Sequence, residues 1–112
     1  MTEQYTSVCN FLDQAYKMIG VAEKRFDIDL SSVIIVVGPN EKPATTFYED
    51  NGYIVFDLEF VLNHYEAMVS KAIPHEVAHI VTYYKPELGC NHDLGWQKVK
   101  EQLESTAELV GS

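Results

Sequence analysis

The stretch IPHEVAHIVTYY, residues 73–84, constrains the fold more than any other part of the chain. On a helix with 3.6 residues per turn, its apolar residues gather on one face: Ile73, Val77, Ile80, Val81 and Tyr84. His75 and His79 fall on the opposite side, one turn apart, with about 5–6 Å between their Cβ atoms. We therefore predict a helix that packs one face on the core and presents two imidazoles on the other.

The pattern H-E-x-x-H in this stretch also suggests a chemistry. Two histidines four residues apart on a helix can converge on one zinc ion, which binds imidazole nitrogens at about 2.0–2.1 Å. Glu76 flanks that point, where a general base would act on a water molecule. The bare pattern is also compatible with two exposed histidines on a solvated helix face, because so short a pattern arises by chance. A third ligand would decide between these two interpretations.

Four residues elsewhere in the chain are candidates for that third ligand: His64, His92, Glu101 and Glu104. His92 stands between a loop and the last predicted helix, a junction that can fold back over the first two imidazoles. The two glutamates are carboxylate alternatives of a kind that zinc also accepts. His64 is better explained as a surface or capping residue. The metzincin arrangement, with a third histidine six residues after the second, is excluded because Lys85 occupies that position.

The first half of the chain predicts a helix followed by three strands. Apolar residues at steps of three and four indicate an amphipathic helix from about Thr6 to Glu23. The β-branched run SSVIIVVG predicts a strand, closed by a glycine and a proline. TTFYEDNGYIVFD predicts a hairpin, in which Asn51 and Gly52 supply the two positive-φ positions of a tight turn.

The second half predicts two helical regions. The first runs from about Leu58 to Tyr84, with a kink or break just before His75 because Pro74 removes an N–H. A loop that contains proline and glycine then precedes a last helix over LGWQKVKEQLESTAELV. Helix, three strands and two helices define a small α+β fold, which we interpret as one domain over residues 1–112.

The charge of the chain limits its partners. It carries 17 acidic and 8 basic residues, a formal net charge of −9 at pH 7. Autonomous nucleic-acid binding is disfavoured, because phosphate contacts require lysine and arginine, and the only basic clusters are Lys24–Arg25 and Lys98/Lys100. The acidity is explained by solubility alone.

The sequence predicts no targeting signal and no membrane-spanning segment. Its N-terminal segment has no basic region leading into an apolar run, which predicts no signal peptide, and no stretch is long and apolar enough to predict a membrane span. Only two cysteines occur, Cys9 and Cys90, a pattern that suits a reducing compartment. We therefore expect a cytoplasmic protein. Gly111 and Ser112 are interpreted as a cloning remnant and carry no weight.

The segment IPHEVAHIVTYYKPELGCNHDLGWQKV resembles the catalytic core of the SprT-like metallopeptidase family. That family has a proline or small residue before H-E-x-x-H, a loop of about a dozen residues, and then a histidine followed closely by an aromatic residue. The matching positions are Pro74, His75, Glu76, His79, His92 and Trp96. Upstream, YIVFDLEFVL and FLDQAYKMIG resemble the strand that leads into the active-site helix and the first helix, so the resemblance covers about Asn10 to Leu103. The resemblance is to a minimal catalytic core that lacks the C-terminal zinc ribbon. It also has His92-Asp93 where the family often has His-Gly.

This resemblance implies a zincin-like domain with an H-E-x-x-H active-site helix. It implies that His75, His79 and His92 bind Zn²⁺ and that Glu76 is the general base for a zinc-bound water, so that the chain hydrolyses peptide bonds in a protein or peptide substrate. The family includes proteases that act on DNA-associated proteins. Trp96 is expected to pack against the His92 loop. Cys90 is expected to be a bystander, because a catalytic zinc site needs no fourth protein ligand.

Two other functions remain open from the sequence. A zinc-stabilised, non-catalytic binding module that acts through a protein partner would use the same histidines. A metallo-endoribonuclease of the three-histidine type is disfavoured by the acidic charge and by Glu76 inside the motif. Tyr83, which falls near the site face of the helix, is a candidate for polarising a substrate carbonyl.

Overall fold

The structure is a computed structural model that describes the backbone of residues 2–111 and the side chains of residues 3–105. In chain order its elements are α1 (Thr2–Phe26), β1 (Ile34–Gly38), β2 (Ala44–Phe47), β3 (Tyr53–Asp57), α2 (Leu58–Asn63), α3 (Tyr65–Ala67), a π-helical stretch (Met68–Ala72), α4 (Ile73–Tyr84), a 3₁₀ turn (Pro86–Leu88) and α5 (Leu94–Gly111). The predicted α+β class is confirmed. Ser112, half of the expected remnant, lies outside the described residues.

Helix α1 extends further at both ends than the prediction of Thr6 to Glu23. Its buried side chains recur at steps of three and four: Phe11, Ala15, Met18, Ile19, Ala22 and Phe26. The helix ends at Asp27, whose φ of 54° is left-handed, and the Ile28 N–H there donates to the Glu23 carbonyl at 3.1 Å. Residues 3–6 are exposed, so no apolar pattern marks the first turn, whereas at the other end the pattern continues to Phe26 and the prediction is one turn too short.

The sheet has the order β1-β3-β2, so β3 is central. β2 and β3 pair antiparallel, which confirms the predicted hairpin, and β1 pairs with β3 in parallel. The connecting loop spans residues 48–52, and its positive φ values belong to Asp50 (53°) and Gly52 (86°), so the predicted role of Asn51 is wrong. Aspartate tolerates the left-handed conformation as asparagine does. Gly52 is also required for space, because a Cβ on it would lie 2.9 Å from Ile80 Cδ1.

The helical region predicted from Leu58 to Tyr84 is interrupted twice. Helix α2 ends at His64, whose φ of −136° and ψ of 44° are not helical. The second interruption is the π-helical stretch directly before α4, where the Ile73 N–H donates to the Met68 carbonyl. Pro74 explains this second feature, since it lacks an N–H and crowds the carbonyl four residues earlier, and a wider turn relieves both. The expected kink is therefore a widened turn.

The core lies between α1, one face of the sheet, α4 and α5. Ile54 and Phe56 of β3 are fully buried, while Tyr53 and Val55, on the other face of the same strand, are partly exposed. Helix α4 runs through the centre, and most of its residues are buried. A helix held on several sides is a rigid support for side chains that function depends on. Among the described residues, no helix is both long and apolar enough to cross a membrane.

Candidate metal centre

Helix α4 positions the two histidines of the H-E-x-x-H pattern. Four residues of its predicted core face, Ile73, Val77, Ile80 and Val81, are at most 1% exposed, while the fifth, Tyr84, is only partly buried. His75 and His79 lie on the remaining side, each partly exposed, with their ring centroids 5.1 Å apart. The wide burial of α4 therefore fixes the direction of both imidazoles.

His92 reaches the same place through a tight turn. Asn91 and His92 are both left-handed, with φ values of 48° and 63°, and the Asp93 N–H donates to the Cys90 carbonyl at 3.0 Å. Two successive positive φ values closed by this bond are typical of a type I′ turn. Histidine adopts a left-handed conformation at some energetic cost, so neighbouring contacts must hold it. One of them is the Gln97 Nε2 group, which donates to the His92 carbonyl at 3.0 Å.

The start of α5 holds this turn against the end of α4. Asp93 caps the helix, because its Oδ1 accepts the Trp96 N–H at 2.9 Å, and backbone hydrogen bonds of this kind lower the pKa of its carboxyl group. The backbone segments before and after the turn also cross each other closely. A Cβ on Gly89 would lie 2.2 Å from the Trp96 nitrogen, and one on Gly95 would lie 2.1 Å from the Leu88 carbonyl oxygen. Only glycine permits this approach at either position.

The three imidazoles form a group with the dimensions of a metal site. One ring nitrogen from each of His75, His79 and His92 lies within 4.8 Å of the other two, and the Nε2 atoms of His79 and His92 are 2.9 Å apart. Tetrahedral zinc with nitrogen at about 2.0–2.1 Å needs nitrogens about 3.3 Å from one another. Small side-chain adjustments would supply that spacing, so the donor set fits a zinc ion.

The other candidate ligands lie outside this group. Glu101 is exposed, and Glu104 lies 3.9 Å from the Lys100 ammonium one turn earlier. His64 is an exposed residue at the end of α2, as predicted, with its ring 5.4 Å from that of Phe60. Among the residues with described side chains, the group that could hold a metal contains His92 rather than a glutamate or Cys90.

Trp96 is the packing residue at the base of the cluster. It is 3% exposed, and its ring centroid lies 4.8, 4.9 and 4.5 Å from those of His75, His79 and His92. Its indole Nε1 is buried and has no hydrogen-bond partner within the described part of the chain. One tryptophan, the only one in the sequence, therefore touches all three candidate ligands.

Burial keeps the imidazoles of His75 and His79 neutral near pH 7. It lowers the pKa of His75, and the nearby His92 and Lys100 lower it further. It also lowers the pKa of His79, to about 4, with smaller contributions from the other two histidines. Zinc binds neutral imidazole, so these groups are ready for a metal ion without first releasing protons.

Glu76 is a buried carboxyl group beside the cluster. It is 7% exposed, and burial raises its pKa above the ordinary value. The Thr46 hydroxyl donates to its Oε1 at 2.7 Å and, together with the charge of Lys42, acts in the opposite direction. Its Oε2 lies 3.8 Å from His75 Nε2. Thr46 belongs to β2, so the edge of the sheet orients the carboxyl group of the helix.

Tyr83 and Tyr84 hold the hairpin loop to α4. The Tyr83 hydroxyl lies 3.2 and 3.1 Å from the carbonyl oxygens of Tyr48 and Asp50, to which it donates. The Tyr84 hydroxyl donates to the Asn51 carbonyl at 2.7 Å. The Tyr83 hydroxyl, which the sequence suggested for polarising a substrate carbonyl, is therefore already hydrogen-bonded to the loop.

Tyr48, which sequence reasoning missed, lies beside the cluster. Its ring centroid is 6.4 Å from that of His79, and 48% of the residue is exposed. Its hydroxyl makes no hydrogen bond within the described part of the chain, and burial, followed by the charge of Glu76, raises its pKa. Nothing in the sequence marks this tyrosine, because its place depends on how the hairpin loop packs on α4.

Two cavities open beside the cluster. One, of about 510 Å³, reaches His75 and Glu76. The other, of about 280 Å³, reaches His79 and is also lined by Tyr48 and Cys90. Each cavity thus reaches a different histidine of the H-E-x-x-H pattern, and concave surfaces of this kind are where ligands bind.

Compared with family models, with curated proteins and with solved structures, the chain matches none. The resemblance to SprT-like metallopeptidases therefore rests on the motifs of the sequence alone and stays a prediction.

Proposed function

We propose that this chain is a zinc-dependent metallopeptidase in which His75, His79 and His92 hold the metal ion and Glu76 is the general base. One observation carries this proposal: three imidazoles have nitrogens within 4.8 Å of one another, beside a buried carboxyl group. Three protein ligands leave a coordination position for substrate or water, as catalytic zinc sites do, whereas structural sites use four.

Glu76 would move the proton in the reaction. A zinc ion on the three imidazoles would polarise the substrate carbonyl and lower the pKa of a nearby water molecule. Glu76 takes a proton from the attacking water and delivers it to the leaving amine nitrogen. Burial favours this double role, because it raises the pKa of the carboxyl group towards the pH at which the enzyme works. The bond from Thr46 to Oε1 leaves Oε2, on the His75 side, for the water.

Tyr48 would stabilise the charge that develops on the substrate. Its raised pKa keeps the phenol protonated, so its hydroxyl can donate to the carbonyl oxygen as that oxygen becomes negative. The hydroxyl has no competing hydrogen bond in the described part of the chain. Its exposure at the mouth of the His79 cavity leaves it accessible to a substrate.

An extended peptide suits the surfaces around the cluster. The two cavities would accept residues on either side of the scissile bond. β2 is an edge strand and holds Glu76 through Thr46, so its outer backbone groups are available to pair with a peptide strand. The resemblance extends this proposal to proteins bound on DNA. With a net charge of −9, recruitment to DNA would come through the substrate or a partner.

The test is zinc-loaded protein with an unfolded substrate such as casein, compared with the Glu76→Gln variant. We expect wild type to cleave and Glu76→Gln to lose at least about 100-fold in turnover, the smaller end of general-base contributions, while it retains one zinc ion per chain. Glu101→Gln is the matched control, because it makes the same change at an exposed glutamate of α5.

Two results would count against a peptidase. One is a wild-type protein that holds zinc but cleaves no peptide bond with or without DNA. The other is a Glu76→Gln variant as active as wild type, which would assign the cleavage to a contaminant. Zinc retained without turnover would favour the alternative of a zinc-stabilised binding module, in which Glu76 has no chemical role.

A further inference from the structure

The cavity on the Glu76 side of the cluster, about 510 Å³, is a groove with two distinct walls. Residues 42–44, from the loop after β1 and the start of β2, form one wall. The other wall runs from α2 to the π-helical stretch, and His75 and Glu76 also line the groove. Its apolar lining includes Pro43, Phe60, Met68 and Ala72. We call it the lysine groove, because Lys42 lies on the first wall and Lys71 on the second.

One carboxyl group ties the two walls together. Asp57, which is 8% exposed, accepts the Asn40 N–H at 3.0 Å with Oδ1 and the Phe60 N–H at 3.1 Å with Oδ2. The Asn40 side chain in turn donates to the Lys42 carbonyl at 2.8 Å. The shape of the lysine groove is therefore largely formed before any ligand binds, which lowers the entropy lost on binding.

The residues that line the groove include two lysines and one carboxyl group, that of Glu76, so the local charge is opposite in sign to that of the whole chain. Both lysines are exposed, and among the described side chains neither forms an ion pair. They belong to only 8 basic residues in a chain with 17 acidic ones. Two ammonium groups on opposite sides of an apolar surface are complementary to a ligand with an apolar part and an adjacent carboxylate.

We propose that the lysine groove is a specificity site, which takes a large apolar side chain next to the scissile bond and binds an acidic side chain beside it through Lys42 and Lys71. This inference rests on the proposed function and names its substrate class: peptides in which a bulky apolar residue adjoins an acidic one. A volume of about 510 Å³ lies in the range of ligand sites and exceeds the need of one side chain, so two neighbouring residues fit.

The first experiment measures binding without turnover. Fluorescently labelled, end-blocked octapeptides with Leu-Glu, Ala-Glu or Leu-Lys at the centre are titrated with chelator-treated, metal-free protein, and anisotropy is followed. We expect Leu-Glu to bind about 10-fold more tightly than Ala-Glu, because an apolar pocket distinguishes side chains by their buried area. We also expect Leu-Glu to bind about 5-fold or more tightly than Leu-Lys. This difference in affinity should shrink as salt is added.

Variants then locate that preference in the groove. Lys42→Glu with Lys71→Glu should remove the preference for Leu-Glu over Leu-Lys, whereas Lys17→Glu with Lys24→Glu, on exposed lysines of α1, makes the same charge change and should keep it. Ala67→Phe, at an exposed position that lines the groove, should remove the preference for leucine over alanine. Unchanged melting temperatures show that these variants are folded.

The outcomes separate this inference from the proposed function. Preferential binding that only the groove variants abolish supports recognition of such peptides in the lysine groove, even if the zinc-loaded protein then cleaves nothing and the peptidase proposal fails. Equal binding of the three peptides, or a preference that survives in both groove variants, overturns the specificity site. Zinc-dependent cleavage of all three at equal rates overturns it as well, while it leaves the peptidase proposal intact.

Discussion

Two opposing effects act on the carboxyl group of Glu76. Burial raises its pKa, and the hydrogen bond from the Thr46 hydroxyl lowers it by stabilising the charged form. We predict that Thr46→Val moves the acid limb of the pH–rate profile to higher pH, because more of the carboxyl group is then protonated at a given pH. The measurement is kcat/KM between about pH 5 and 8, where that parameter reports free-enzyme groups.

The neighbouring strand residue supplies the control for Thr46. Thr45 pairs with Val55 on the opposite face of the sheet, and its hydroxyl accepts a hydrogen bond from Asn40. Thr45→Val makes the same chemical change and should leave the acid limb in place. An acid limb that does not move in Thr46→Val would show that another group titrates in that range.

His92 decides whether the metal site has three ligands. We predict that His92→Ala weakens metal binding by more than about 100-fold, since even outer-shell partners of metal ligands are worth 10–100-fold. Trp96 supplies the readout, because it is the only tryptophan and lies within 5 Å of all three imidazole centroids. Titration with Co²⁺ should quench its fluorescence in wild type and in Glu101→Ala. If Co²⁺ quenches the fluorescence of His92→Ala as it does that of wild type, but no longer quenches that of Glu101→Ala, the third ligand is the glutamate.

At the level of elements, the crossing of Gly89 and Gly95 determines where His92 lies. A Cβ on Gly95 would lie 2.1 Å from the Leu88 carbonyl oxygen, so the turn and α5 would have to separate. We predict that Gly95→Ala lowers the free energy of unfolding by about 1–3 kcal/mol, the usual effect of overpacking, and weakens metal binding with it. Denaturant unfolding and a metal titration measure the two effects.

Gly20 in α1 is the matched control for that crossing. A Cβ there meets no atom within 4 Å. Gly20→Ala should therefore be neutral or stabilise the protein by about 0.5–1 kcal/mol, because alanine loses less conformational freedom in a helix. A Gly95→Ala protein as stable as wild type, with the same metal affinity, would show that the turn tolerates displacement.

The elements that the sequence predicts well are those with local causes. The buried face of α4 follows from periodicity, the hairpin from two β-rich runs around a glycine, and the disturbance before α4 from Pro74. His75 and His79 face one side for the same local reason. His92 was a candidate from its position after a loop, but its place in the cluster depends on a type I′ turn that only the fold reveals.

The features that could not be predicted depend on packing between distant residues. The parallel pairing of β1 with β3 joins strands that are not consecutive, and no local pattern encodes it. The break at His64 has no proline or glycine to announce it. Tyr48 enters the site because the hairpin loop is bonded to Tyr83 and Tyr84, a contact across more than thirty residues.

At the scale of the whole molecule, acid should destabilise the fold through the histidine cluster. An unfolded histidine takes up its proton at about pH 6.5, whereas burial lowers the pKa of folded His79 to about 4 and also lowers that of His75. Between these values the unfolded state binds more protons, so stability falls as pH falls from about 6.5 to about 4. Glu76 has the opposite effect. Because its pKa is raised, the stability that it contributes declines as pH rises above 4.5, the ordinary pKa of a glutamate. We expect the two imidazoles together to outweigh the one carboxyl group.

We therefore predict that the melting temperature of metal-free protein falls from pH 7.5 to pH 4.5, and that His79→Asn flattens this decline while His64→Ala, outside the cluster, does not. Zinc should add a second effect, because a ligand bound only by the folded state stabilises it by about 2.7 kcal/mol at 100 times its Kd. Protons compete for the same nitrogens only near their lowered pKa values, so the difference between zinc-loaded and chelated protein should persist at about pH 5.5 and shrink towards about pH 4. Equal melting temperatures with zinc and with chelator at pH 7.5 would refute the metal centre. The acid-induced decline would remain, because it depends only on the burial of the imidazoles.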